Sequence, residues 1–425
     1  VRQELLSESK DYFQKHYKTF QGTADLYVCF MEKGYSLLNE GGLFSYIVAN
    51  KWMRANYAKN LRRWLGEKDI QEIIDFGDLP VFQQATTYPC IFRIRKGEPS
   101  ETFCAVNVED LNFPSLGEYV QKNAFEVAQS RLSEEGWNLT NTAELDLIEK
   151  IKSKGIPLEQ YVEGEIFRGV LTGYNQAFVI DDATRKRLIK EDPKSVEIIK
   201  PFLAGRDIKR YAPLETGKYL ILIPRGWTKA NGGNDRTAWN VLAEKYPAIA
   251  EYLKQYEVPC AKRYDKGDYW WELRACVYYD EFEKEKIIYA EIANRGQFTF
   301  DDEGYYGDTT SYIMGCNSKA VLGILNSKLW TFLFSKTSSV IRGGYYRWKY
   351  QYMAPLPIVE KESPELDKAV TSMLEAQRQL HSAKSDADKT VLQQKIDAID
   401  SQIDRLVYGL YGLTDEEVRI VEGRG

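Results

Sequence analysis

Hydrophobic and polar positions change period several times along the chain, and these changes predict its elements. Between Asp25 and Leu38, Leu26, Phe30, Tyr35, Leu37 and Leu38 recur at roughly helical spacing, and Gly41-Gly42 stops the pattern. The apolar run Leu43 to Val48 predicts a buried strand. A helix is expected from about Trp52 to Leu65, then strands at Ile70 to Phe76 and Cys90 to Ile94, the last ending in the charged turn Arg95-Lys96-Gly97. Helices between strands predict a mainly parallel sheet covered on both faces. The connection from Phe76 to Cys90 is too short for a helical crossover, so the last strand is predicted antiparallel. An open α/β sheet needs strands on both sides of its switch point. Only a later half is legible here, which places the other half before Val1.

From Asn112 to Trp137 the pattern weakens around Pro114, Gly117 and Gly136, as in a linker. Asn141, three residues before Glu144, then suits a helix N-cap, with Leu145, Ile148 and Ile151 on one face and Gly155 as the stop. Strand-like and helical strings alternate irregularly up to about residue 360. Beyond it, Ser363-Pro364 opens a helix. Leu392, Ile396, Ile399, Ile403, Leu406 and Leu410 then alternate in spacing as a coiled-coil seam does. The short break at Ser382 to Asp388 predicts an antiparallel helical hairpin, and Thr414 with Glu417 caps a final helix. The expected organisation is α/β in 1–111, a linker in 112–140, a mixed α+β domain in 141–360 and a helical hairpin in 361–425. The hairpin suits bracing of the preceding domain or self-association through 361–410.

Composition narrows the function. With 425 residues there is room for about two or three domains. The net charge is −5, so any contact with nucleic acid has to come from local patches. The six cysteines form no C-x-x-C pair and only His16 and His381 are present, which argues against a zinc site and against histidine catalysis. Reduced thiols fit a cytoplasmic protein, and no apolar run approaches a membrane span.

Candidate chemistry is concentrated in Thr337 to Pro357. No acid occurs between Lys336 and Val359, while Arg342, Arg347 and Lys349 interleave with Tyr345, Tyr346, Trp348, Tyr350 and Tyr352 around Gly343-Gly344. Cations for phosphates, aromatic faces for bases and a flexible turn suit a nucleic-acid surface. The same residues also suit a tyrosine-rich buried strand with solvated cations outside. Similar clusters occur at Arg206, Lys209 and Arg210 around a single acid, and at Lys262, Arg263 and Arg274 beside Trp270 and Trp271. A carbohydrate surface uses Trp and Tyr equally well but has less need of the cations.

The runs GTADLYVCFMEKGYSLLNEGGLFSYIVANKWM and IIDFGDLPVFQQATTYPCIFRIRKG resemble later motifs of adenine-specific DNA amino-methyltransferases. The likeness is to the gamma class, in which recognition follows catalysis, including the single-chain type IIG restriction–modification enzymes. It implies the second half of a Rossmann-like methyltransferase sheet, then a target recognition domain. In the intact protein it implies methyl transfer from S-adenosylmethionine to an adenine flipped out of double-stranded DNA. The family's catalytic Asn-Pro-Pro-Tyr is often followed by residues like the opening VRQE. No Pro-Pro occurs in this chain, and no G-x-G before Gly423. The resemblance therefore implies that this chain acts with the N-terminal part of the same protein and does not methylate alone. Phe82, in VFQQAT, matches the aromatic that stacks on the flipped base. Phe30 matches a residue near the adenine of the methyl donor. Each also suits a core position. The rival reading is a non-catalytic specificity subunit docking onto a separate methyltransferase, against which the half-sheet argues. An RNA-modifying or glycan-binding protein is the third.

Overall fold

The computed structural model describes residues 6, 9–82, 87–137, 139, 142–338, 340–341 and 344–423. The architecture is mixed α/β with several sheets. The chain divides into two compact units, residues 1–153 with 332–347, and residues 154–331 with 348–425.

The first unit is built on a five-stranded sheet of β1 (Leu43–Ala49), β2 (Asp69–Asp75), β3 (Pro89–Arg95), β4 (Thr102–Asn107) and β5 (Phe125–Ala128), in the order β1-β3-β2-β4-β5. β3 is antiparallel to both β1 and β2, with Ala49 opposite Pro89 and Asp75 opposite Cys90. Among the described residues of this sheet, only β2 and β4 pair in parallel. The antiparallel last strand is as the short connection predicts, but the mainly parallel sheet is corrected. By turning back from β2, β3 inserts itself between the two strands that the helical crossover joins. The expected linker is corrected as well. It holds a helix at Leu116–Asn123 capped by Ser115, strand β5, and Trp137, which is buried against Trp52 at 5.2 Å between ring centroids. Its apolar residues are few, and their partners lie far away in sequence.

Helix Tyr27–Ser36 buries Val28, Cys29 and Met31, whereas Phe30 is 53% exposed and Leu37 lies beyond the helix end. The apolar face expected through Phe30 is thus rotated away from the core. The helix expected from Trp52 begins as two 3-10 turns and becomes α-helical only at Lys59–Gly66. Arg62 on that helix is 1% exposed and donates to the carbonyls of Trp52, Ala55, Glu134 and Glu135. One buried cation thereby ties the 3-10 turns to the segment before Trp137, at the cost of a pKa that burial depresses. Asn141 lies outside the described residues, and the helix expected from it spans Thr142–Lys152.

The second unit holds two four-stranded sheets. One orders Tyr306–Gly307, Ile199–Leu203, Lys218–Ile221 and Val179–Asp181, and the other Phe298–Asp301, Lys286–Ala290, Ser311–Met314 and Ile166–Arg168. Their apolar faces share a core that includes Phe178, Leu220, Ile249, Trp271 and Phe282. Pro357–Ile358 pairs with Ile156–Pro157 as a separate short ladder. Helices Pro364–Ser382 and Asp386–Tyr411 form the expected hairpin, with Ile396 and Ile403 of the seam buried. The hairpin is not a separate body. Asp400 pairs with Arg210 at 2.5 Å, Asp404 accepts from the Lys328 amide at 2.9 Å, and the Tyr411 hydroxyl donates to the Pro357 carbonyl at 2.7 Å. These contacts tie the hairpin to the rest of the second unit.

Candidate nucleic-acid interface

In the first unit, β1 and β2 run the same way, so their carboxyl ends lie on one edge, where ligands of open α/β sheets bind. That edge is tightly tied. The Asn50 side-chain amide donates to the Asp75 carboxylate at 2.8 Å, the Gly77 amide does so at 3.0 Å, and the Asn50 amide donates to the Tyr88 carbonyl at 2.7 Å. Gly77 has φ +54°, which turns the chain sharply out of β2. Leu79 and Val81 of the following loop pack with Ile74, Phe76, Val106 and Val108. Phe82, next in line, is 42% exposed. Phe82 is therefore more exposed than a core residue would be. Gln83 to Thr86, the rest of that motif, lie outside the described residues.

A two-stranded hairpin, Val340–Ile341 with Tyr345–Arg347, belongs to the same unit. Its Gly344, at φ +74°, donates its amide to Asp78, in the loop that carries Phe82, at 3.4 Å. Tyr346 packs edge-on against Phe334 at 5.9 Å, and burial raises its pKa. Tyr345 and Arg347 are exposed. Arg342 and Gly343 lie outside the described residues. Lys336 pairs with Glu144, so this cation of the acid-free run serves the fold.

The second unit divides the remaining candidates. Arg206, Lys209, Lys262 and Arg274 are exposed, and Lys349 is half-buried with its Nζ 4.0 Å from Glu291. Arg210, Arg263, Trp271 and Trp348 are corrected to structural roles. The Arg210 guanidinium holds Asp400 and the Asn326 carbonyl. Arg263, buried over the Phe178 ring at 4.3 Å, donates to the carbonyls of Thr172, Trp270 and Glu272. Trp271 donates to the Thr228 hydroxyl at 3.0 Å, and Trp348 to the Ala293 carbonyl at 3.2 Å. Trp270 stacks on Trp239 at 5.1 Å and is half-buried. Sequence reasoning missed Arg225 and Lys229, which both reach Asp268, at 2.7 and 2.6 Å. Their string RGWTK alternates cations with an aromatic as the recognised clusters do, and that was the available signal.

For S-adenosylmethionine the chain offers the exposed ring of Phe30, but no glycine-rich loop stands in the sequence before Gly423. These residues alone do not amount to a donor site. Among the described residues no cluster of His, Cys, Asp and Glu is arranged to hold a metal, and no helix is long and apolar enough to cross a membrane.

Residues 1–82 match the Eco57I restriction–modification methylase family, and residues 200–358 match the TaqI-like C-terminal specificity domain. The first match ends on Phe82, and the second contains the cation clusters at Arg206–Arg210, Lys262–Arg274 and Arg347–Lys349. The chain is similar in sequence to type II restriction–modification methyltransferases. It is 22% identical to the type II restriction enzyme and methyltransferase RM.Eco57I of Escherichia coli, across 99% of this chain and 46% of that protein. It is 21% identical to the type II methyltransferase M.BstVI of Geobacillus stearothermophilus, across 99% of this chain and 73% of that protein. The chain thus spans about half of the first relative and about three quarters of the second. Its fold is similar to that of the type IIL restriction–modification enzyme MmeI, solved in complex with DNA, with a TM-score of 0.61 over 98% of this chain and 54% of that one at 13% identity.

Proposed function

We propose that this chain is the DNA-binding C-terminal segment of a site-specific DNA adenine methyltransferase of a restriction–modification system. The first unit carries the later half of the methyltransferase sheet, and residues of the second read the DNA sequence. The observation that carries this reading is the exposed Phe82 on the loop leaving β2, at the edge where the parallel strands end. An extruded adenine needs a flat apolar partner, and Phe82 closes over it. Arg206, Lys209, Lys262 and Arg274, with Tyr345, Arg347 and Lys349, supply phosphate and base contacts. S-adenosylmethionine supplies the methyl group to the exocyclic amine in the intact protein. A non-catalytic specificity subunit is the competing reading, and the methylase match over residues 1–82 supports the catalytic one.

Two results test the reading. The 425-residue chain, given S-adenosylmethionine and duplex DNA, transfers no methyl group, since neither Pro-Pro nor a glycine loop before Gly423 is in its sequence. Labelled methyl incorporated into adenine by this chain alone contradicts that division of labour. Lys349→Ala removes a phosphate contact, so it weakens binding to all duplexes alike and lowers the log–log salt slope by about one. Arg347→Ala removes a base contact, so it costs about 1–3 kcal/mol on the preferred duplex and relaxes discrimination at one position. Wild-type affinity, slope and discrimination in both variants reassigns the segment to the fold.

A further inference from the structure

Tyr264 and Val277 are 97% and 100% exposed, so neither side chain gains anything from packing. Both top loops that are otherwise firmly built. Arg263, immediately before Tyr264, is buried and held by three backbone carbonyls. Glu272, fully buried, accepts from the amides of Gly226, Thr228 and Asp268 and so pins the chain between the two tips. Gly173, at φ +70°, lies so close that a Cβ would stand 2.5 Å from the Asp265 carbonyl oxygen. Arg274 bridges to Asp265 at 3.4 Å and joins one loop to the other.

The surroundings are cationic. Asp265 is matched by Arg274, and Asp268 by both Arg225 and Lys229, while Lys262 and Lys266 stand exposed on either side of Tyr264. Val277 also borders a cleft of about 340 Å³ lined by Arg168, Val170, Arg274 and Tyr278, and Tyr278 stacks on Phe167 at 4.6 Å. Two exposed apolar tips on firmly built loops, with Lys262 and Lys266 exposed beside Tyr264, are complementary to a polyanion whose interior is apolar. Side chains of this kind enter between or against bases, while the cations meet phosphates.

We propose that Tyr264 and Val277 are base-contacting tips that the second unit inserts into duplex DNA, Tyr264 stacking on a base and Val277 packing on an apolar base edge such as a thymine methyl. The inference rests on the reading of this chain as DNA-binding and assigns specificity to two uncharged residues within it. The test selects preferred sequences from a random duplex pool with the full chain, then repeats the selection with Tyr264→Ser and Val277→Ser. Both variants should melt with the parent, because both positions are exposed. Each should lose preference at one or two adjacent base positions and bind the selected duplex about tenfold more weakly, with an unchanged salt slope. Lys266→Ala in parallel should lower the slope and leave the preferred sequence alone. If the parent chain selects a sequence and both serine variants select the same one with equal affinity, the inference is overturned and the DNA-binding reading stands. If the parent chain binds no duplex, both are overturned.

Discussion

Asp301→Ala should destabilise the second unit by about 3–5 kcal/mol, the usual scale for stripping one partner from a buried ion pair. Lys286 and Asp301 meet at 2.5 Å with side chains 1% and 0% exposed. Burial pushes the lysine's pKa down and the carboxylate's up, and the contact opposes both. Asp301 further accepts from the amides of Glu303, Gly304 and Tyr305, so it organises the turn after its strand as well as neutralising the lysine. Lys286→Met combined with Asp301→Asn should recover part of the loss, because no uncompensated charge is then left inside. Urea denaturation monitored by tryptophan fluorescence measures both variants. An Asp301→Ala chain within about 1 kcal/mol of the parent would mean that the pair is solvated and the strand Lys286–Ala290 less deeply buried than described.

On the proposed function, the second large effect falls on the target base. In the intact protein, Phe82→Ala should slow adenine methylation or weaken capture of an unpaired base by about tenfold, since base–aromatic stacking is worth roughly 1–3 kcal/mol. Stability should change little, because the Phe82 side chain is 42% exposed. Phe82→Trp, which keeps a flat apolar face, should retain most of the activity. The decisive comparison pairs the methylation rate with affinity for duplexes carrying a mismatch at the target position. An unchanged rate and unchanged mismatch affinity in the alanine variant would remove Phe82 from the site.

Elements were legible in the sequence where a run of apolar residues declared itself. The runs at β1, β2 and β3 gave strands in the expected places, but β1 was expected to be buried and instead forms a sheet edge with Leu43 and Ile47 exposed; the heptad-like spacing around Ile396 and Ile403 gave the helical hairpin. β4 and β5 were not read, because short strands with only one to three buried apolar residues gain their stability from neighbours distant in sequence. The candidate site was legible by composition but not by orientation. Arg263 and Tyr264 are adjacent, yet the cation is buried among carbonyls and the tyrosine stands in solvent. A cluster of cations and aromatics records that a surface and a core lie close together, and only the fold assigns each residue to one or the other. Phe30 went the opposite way, fitting an apolar helical face by spacing and lying outside it in three dimensions.

The central claim, that this chain binds duplex DNA through localised cations despite a net charge of −5, is tested most directly by one binding titration. The full chain is titrated against a random-sequence duplex, an RNA of equal length and an acidic glycan, each over a series of salt concentrations. The account predicts preference for the DNA duplex, with log affinity falling linearly as log salt rises and a slope that reports several phosphate contacts. Binding that is equal for all three polyanions, or absent for the duplex at low salt, would contradict it.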